Sequence, residues 1–318
     1  MPAGPPRRAP IATLIAALLA ALLPLGLASC DGGGTGGGPP RVVVTHAVLG
    51  AVVGDLVGDL ADVTVLIPNG ADPHDWRPSA KDIERLQSAD LVVANGLGLE
   101  QGLTEALERA REDGVPVLEA TDYVRIRRVG EAEAAEPAEG EGHGEDVRPG
   151  APDPHFWTDP ASMRKVAAAI ATALGERLDV DVRARWADLD RRLARLDAET
   201  EQTLAAIPPQ RRKLVTGHES LGYFARRYRF ELVGAIVPGL SSQARVSAEE
   251  LAGLVRVIRR EGVDVVFTEV GTPQRVAEAV AEETGARLVE LPAHRLPEDG
   301  SYETFIREIA RIVAGALG

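Results

Sequence analysis

From residue 41 onward, short β-branched and aliphatic runs alternate with stretches where apolar residues recur every three or four positions. The runs at 41–45, 63–67, 90–94 and 115–119 predict strands. The stretches at 48–57, at 79–88 and up to 111 predict the helices between them. Strands alternating with helices imply a parallel sheet with right-handed crossovers. Asp159-Pro160 then opens a helix, with aspartate as N-cap and proline in the first turn. The strand–helix pattern resumes with strands at 213–216, 230–236, 263–267 and 288–291. Its helices end at 227 or span 248–260, 273–284 and 302–316.

Between the two series lies a long, highly charged helical pattern at 182–207. Trp186, Leu189, Leu193, Leu196 and Leu204 give it only a narrow apolar stripe, and Pro208-Pro209 ends it. At about 1.5 Å per residue it would run close to ~40 Å, which suits a strut joining two lobes better than a core helix. The fold class expected is therefore α/β: two lobes, each a mainly parallel β-sheet flanked by helices, joined by one long rigid helix. The lobes are placed at 41–178 and 209–318, with the connecting helix at 179–208.

Composition narrows the partners. A net charge of −13 over 318 residues argues against nucleic acid or an anionic membrane surface and suits a protein that meets cations. The single cysteine, Cys30, leaves no disulfide framework and no thiolate metal site. It follows Arg7-Arg8 and an apolar run at 11–27 that resembles a secretory signal peptide. The run ends Leu27-Ala28-Ser29-Cys30, which looks like a bacterial lipobox, so residues 1–29 would be removed and Cys30 lipidated. Residues 30–40 then form a glycine-rich tether and the protein would sit outside the cytoplasmic membrane. A second compositional break, at 131–150, is acidic and rich in Ala, Gly and Pro. It predicts a disordered loop around His143.

Six histidines are present: His46, His74, His143, His155, His218 and His294. All but His143 follow a predicted strand or stand at a helix entrance, where open α/β sheets bind ligands. Two of them recur in the same setting, Asp72-Pro73-His74 and Asp153-Pro154-His155, each followed within two residues by an aromatic. Proline before histidine stiffens the backbone and presents the ring at reduced entropic cost. His74 and His155 are expected to meet His218 across the cleft between the lobes as zinc ligands. Asp72, Asp153 and Glu219 are the nearby acceptors that would fix their tautomers. The glycines at 96 and 98 lack the spacing of a dinucleotide fingerprint and mark a tight strand-to-helix turn.

The combination resembles the metal-binding lipoproteins of zinc and manganese ABC importers, the cluster A-I (cluster 9) solute-binding proteins. The matching segments include Gly70-Ala71-Asp72-Pro73-His74, Asn95-Gly96-Leu97-Gly98-Leu99-Glu100 and the second Asp-Pro-His with Phe156-Trp157-Thr158-Asp159-Pro160. They also include His218 with Gly222-Tyr223-Phe224-Ala225, Thr268-Glu269 and Gly300-Ser301-Tyr302. The resemblance implies one Zn2+ carried per chain and delivered to a permease and its ATPase by a monomer with no catalytic residue. It also implies a fourth ligand from the second lobe. Relatives often use an aspartate there; His294 stands nearest, with Glu269 and Asp299 as alternatives or supporting groups. His46 is expected to line the cleft rather than ligate.

An imidazole-rich set favours zinc over manganese, which takes more carboxylate oxygen. A manganese carrier of the same family, a zinc hydrolase using Glu219 or Glu269 as base, and a surface adhesin are the alternatives. The hydrolase would need an open coordination position.

Overall fold

Because every residue after Arg41 in the run RVVVTH is buried, β1 (Arg41–His46) sits inside a parallel sheet rather than at its edge. The structure is a computed structural model and describes residues 1, 4, 38–129 and 150–318. β2 (Asp62–Ile67) pairs on one side of β1 and β3 (Leu91–Ala94) on the other, with β4 (Val117–Glu119) beyond it, all parallel in the order β2-β1-β3-β4. The connecting helices are α1 (Ala47–Val57), α2 (Ala80–Gln87) and α3 (Thr104–Glu112). α2 begins in a capping box, with Ser79 Oγ accepting from Asp82 N and the Asp82 carboxylate accepting from Ser79 N. α4 (Pro160–Leu178) starts as expected, Asp159 Oδ1 accepting from Ala161 N at 2.9 Å.

After α5 (Arg183–Leu204) the second series gives two parallel ladders. β5 (Lys213–Thr216) pairs with β6 (Glu231–Ala235), and β7 (Val265–Thr268) pairs with β8 (Arg287–Glu290). β5 and β7 lie side by side, and α6 (Gly222–Tyr228), α7 (Ala248–Glu261), α8 (Gln274–Thr284) and α9 (Tyr302–Leu317) complete the series. Every paired strand is therefore parallel to its neighbour, as the alternating pattern requires.

α5 differs from its expectation in length and in packing. It has 22 residues, about 33 Å at 1.5 Å each, and stops at Leu204 because Arg212 takes over its end. The Arg212 guanidinium donates to the carbonyls of Leu204, Ile207 and Tyr228 at 2.8–3.2 Å, satisfying acceptors that a helix end leaves open. Leu189, Leu193, Leu196 and Leu204 are buried in one cluster with residues of α1, α4, α6 and α9. The narrow stripe thus serves as core for both series. The charged face is strapped to both as well. Arg192 reaches Asp55 (2.8 Å) and Glu303, Asp190 meets Arg164, and Asp197 meets Arg227. Such exposed pairs contribute little each, ~0–1 kcal/mol, so the buried leucines carry the joint.

From Pro39 onward the described chain is one compact unit. Cys30, residues 31–37, His143 and the acidic residues 131–149 fall outside the described residues. Among the described residues no helix is long and apolar enough to cross a membrane.

Candidate metal centre

Both Asp-Pro-His segments fold into the same turn. Asp72 Oδ1 accepts from His74 N at 3.0 Å, and Asp153 Oδ1 accepts from His155 N at 2.9 Å. An aspartate bonding the backbone two residues on is the local device expected of this residue type, and proline between them removes a competing donor. The second turn carries an extra bond: Asp153 Oδ1 also stands 2.9 Å from His155 Nδ1. A carboxylate there makes Nδ1 the protonated nitrogen and leaves the Nε2 lone pair free. Behind it, Arg127 Nη1 donates to Asp153 Oδ2 at 2.9 Å, and both side chains are almost wholly buried.

The other two histidines come from the second series. His218 follows β5 and His294 follows β8. Between them stands Glu269, at the end of β7. Its carboxylate lies 3.0 Å from His218 Nδ1 and 3.7 Å from His294 Nδ1 and accepts from Ser220 Oγ and His218 N. The His218 ring is turned off the ideal hydrogen-bond line, so the contact is chiefly one of charge. The His218 and His294 rings stack, 18° apart in plane. Trp157 fixes the approach of the His294 loop, its Nε1–H donating to Ala293 O at 3.0 Å, and Tyr302 Oη–H donates to Trp157 O at 2.8 Å.

The four imidazoles converge. One nitrogen from each of His74, His155, His218 and His294 lies within 4.8 Å of all the others, and all four residues are buried. His155 is the hub, its Nε2 standing 3.3 Å from both His74 Nε2 and His218 Nε2. Two nitrogens bound tetrahedrally at about 2.0–2.1 Å from one zinc ion are themselves about 3.3 Å apart. These two edges therefore already have the spacing a zinc ion needs. His74 Nδ1 and both His294 nitrogens are buried without a hydrogen-bond partner, an arrangement that water or an apolar core does not reward.

Burial sets the charge of the cluster. It holds His74 well below the ordinary imidazole range, with the neighbouring rings adding to the effect, and pushes His294 down to about 3. His155 is lowered too, burial outweighing the help from Asp153. His218 goes the other way. Burial works against its charged form, but the Glu269 carboxylate beside it wins and raises it. Glu269 itself is held down to about 2, the nearby His218 overcoming the cost of burial. Three rings are thus neutral, with lone pairs ready for a cation, and the fourth shares a proton-accessible pair with a carboxylate.

Other expected residues lie elsewhere. Glu269 supports two rings and is not among the converging group, because its oxygens are spent on Ser220 and His218. Glu269 occupies the place beside His218 Nδ1, and the Glu219 backbone N–H donates to Gly239 O. Asp299 is exposed beside the start of α9, accepting from the N–H of the N-cap Ser301 and from Thr304 Oγ1. Asp72 does not reach a ring nitrogen; its Oδ2 accepts from Ser242 Oγ at 2.5 Å. His46 lies beside the group, its Nε2 3.3 Å from Asn95 Oδ1 and its ring 5.2 Å from Trp157. Asn95 in turn donates to Pro154 O at 3.0 Å, so the glycine-flanked turn helps to hold the second Asp-Pro-His. Arg127 has no counterpart in the sequence reading. Arginines at alternate positions 125 and 127 suggest a solvated edge, the opposite of the burial found.

A family model described as ZnuA, zinc-uptake complex component A, periplasmic, matches residues 42–316. Zinc-binding protein TroA of Treponema pallidum is 29% identical over 225 residues, covering 70% of this chain and 67% of TroA. Zinc-binding protein AdcA of Streptococcus pyogenes is 26% identical over 239 residues, covering 72% of this chain but only 45% of AdcA, so the chain spans less than half of that relative. The solved structure of the periplasmic zinc-binding protein TroA from T. pallidum aligns with a TM-score of 0.76 at 25% identity, over 88% of this chain and 100% of that one.

Proposed function

Because this chain belongs to the ZnuA family, the periplasmic A components of zinc-uptake complexes, we propose that it captures one Zn2+ between its two halves and passes it to a membrane permease and its ATPase. His74, His155, His218 and His294 are the ligands in this reading. The observation that carries it is the four-imidazole convergence with two 3.3 Å edges centred on His155. Zinc is the cargo rather than a resident cofactor, and the protein acts by holding and releasing it.

The metal follows from the donor set. No carboxylate joins the four converging groups among the described residues, and manganese prefers a larger share of oxygen. A hydrolase would keep one coordination position for water, whereas four protein nitrogens already make a full tetrahedral set. The division at 41–178, 179–208 and 209–318, the monomeric state, and the lipid anchor at Cys30 with its leader and tether complete the reading. Cys30→Ser should leave an unprocessed or membrane-free protein; fractionation identical to wild type would remove the anchor.

The central test is metal analysis of protein purified without chelator, followed by competition titration. One tightly bound zinc per chain is expected, with manganese much weaker. A stoichiometry of zero, or preference for manganese, overturns the reading.

A further inference from the structure

Resting on the reading that the four histidines hold Zn2+, we propose that Ser242 and Asn69 are positioning residues for metal retention, fastening the His74 turn to the loops of the second half. Two ligands stand on each side of the chain's midpoint, His74 and His155 before α5, His218 and His294 after it. For the ion to leave, some of these rings must part. His74 is the ring whose own turn gives its Nδ1 no partner, so its place depends on where the turn is docked.

Two contacts dock it. Ser242 Oγ, on a residue only 7% exposed, donates to Asp72 Oδ2 at 2.5 Å, while the other oxygen of the same carboxylate holds His74 N. Ser242 thus grips the group that shapes the turn, across 170 residues of sequence. Gly271 makes the approach feasible. Its φ is +87°, and a Cβ there would stand 2.5 Å from Asp72 Oδ2 and 2.7 Å from Ser242 Cβ. The second contact is a two-point pairing: Asn69 Oδ1 accepts from Leu296 N at 2.7 Å and Asn69 Nδ2 donates to Leu296 O at 3.0 Å. Asn69 lies at the start of the His74 turn, and Leu296 two residues after His294. One side-chain amide therefore ties the turn of one ligand to the loop of another.

The His155 turn also touches the second half, through Tyr223 Oη to Asp153 O and Trp157 Nε1 to Ala293 O, but Tyr223 and Trp157 are enclosed in the core. Asn69 is exposed, so its pairing sits at the rim. The Asn69 contact at the rim is able to open while the core ones stay shut, leaving the His74 turn held by Ser242 alone, and that makes His74 the ring to move first.

The experiment loads the full-length protein with Zn2+ and follows release into excess chelator by stopped flow. Losing a hydrogen bond of this kind should speed release about tenfold. Asn69→Ala and Ser242→Ala are each expected to raise the zinc dissociation rate by at least threefold. The association rate and the visible spectrum of the Co2+-substituted protein should stay unchanged. Ser242→Thr keeps the hydroxyl and should release zinc like wild type. Amide exchange over residues 69–76 of the metal-free protein should quicken in both alanine variants while core exchange does not. Dissociation rates within threefold of wild type overturn the proposal. So does a changed Co2+ spectrum, which would mean that the residues act on the ligand set itself. Wild-type protein that binds no zinc would defeat the functional reading first; wild-type binding with unaltered variants defeats only the latch.

Discussion

In the two Asp-Pro-His turns the same oxygen of the same residue type accepts from the histidine N–H, and the backbone is held alike. The rings are not. Asp153 spends its Oδ1 a second time on His155 Nδ1 and its Oδ2 on buried Arg127, so the ring is fixed in tautomer and in place. Asp72 spends its Oδ2 on Ser242, and His74 Nδ1 has no partner. A tripeptide that looks like a repeated motif therefore supplies one fixed ring and one whose position is borrowed from the other half of the chain. What separates them is the second oxygen of the aspartate, which no reading of the tripeptide alone would reveal.

The largest expected effect tests that contrast directly. His155→Ala removes the ring that stands 3.3 Å from two others, and zinc affinity should fall by about 1,000-fold or more. His74→Ala should cost about tenfold less, measured by chelator competition. Equal losses, or a greater one for His74, would erase the distinction between hub and movable ligand.

Next in size is the support behind the hub. Asp153→Asn should lower affinity by about 10- to 100-fold, because a neutral amide oxygen is a weaker acceptor for His155 Nδ1–H than the carboxylate and the amide no longer meets Arg127 as an anion. Wild-type affinity in this variant would show that His155 needs no help.

The pH dependence is smaller per unit and sharper in form. His74, His155 and His294 are lowered and stay neutral through the neutral range, so they release no protons when zinc binds there. His218 is raised above the usual imidazole value and must lose a proton. Affinity should fall about tenfold per pH unit as pH drops below the His218 value, with one proton taken up per ion released. A slope of two or more protons would mean that the other rings titrate as ordinary histidines. The metal-free fold should show the reverse side of the same linkage. Rings held below their unfolded value bind fewer protons than the unfolded chain does, so stability is full above about pH 6.5 and declines as pH falls. A thermal midpoint that rises between pH 6.5 and 5 would contradict it.

The smallest effect belongs to Asp72→Asn. The amide keeps an acceptor for His74 N and a donor or acceptor for Ser242, so affinity should change by less than about fivefold. A loss as large as that of Asp153→Asn would make the two turns equivalent after all.

The alternation of strands and helices, the capping box at Ser79 and the N-cap at Asp159 were legible because each rests on neighbours within a few residues. The four converging histidines were legible for a related reason: parallel strands deliver the residues that follow them to one edge. What escaped depends on pairs far apart in sequence. Glu269, expected as an alternative fourth ligand or a supporting group, has its oxygens on Ser220 and His218, about 50 residues earlier. Asp299, expected in the same alternative role, accepts from Ser301 N and Thr304 Oγ1 at the start of α9. Arg127 gave a pattern that pointed outward, and only Asp153, 26 residues on, explains why it turns in. The stripe of α5 looked too narrow for a core because half of its packing partners, on α6 and α9, come later in the chain.

That last point bears on how the protein is made. α9 packs on α5 and α1, and Arg192 of α5 holds both Asp55 and Glu303, so the core begun by the first strands closes only when residues after 302 arrive. His294 lies eight residues before α9 begins. Domains assemble as units during synthesis, and here the core is not whole until that stretch has emerged. A chain cut before α9 keeps its four histidines but lacks the last wall of the core that packs beneath them.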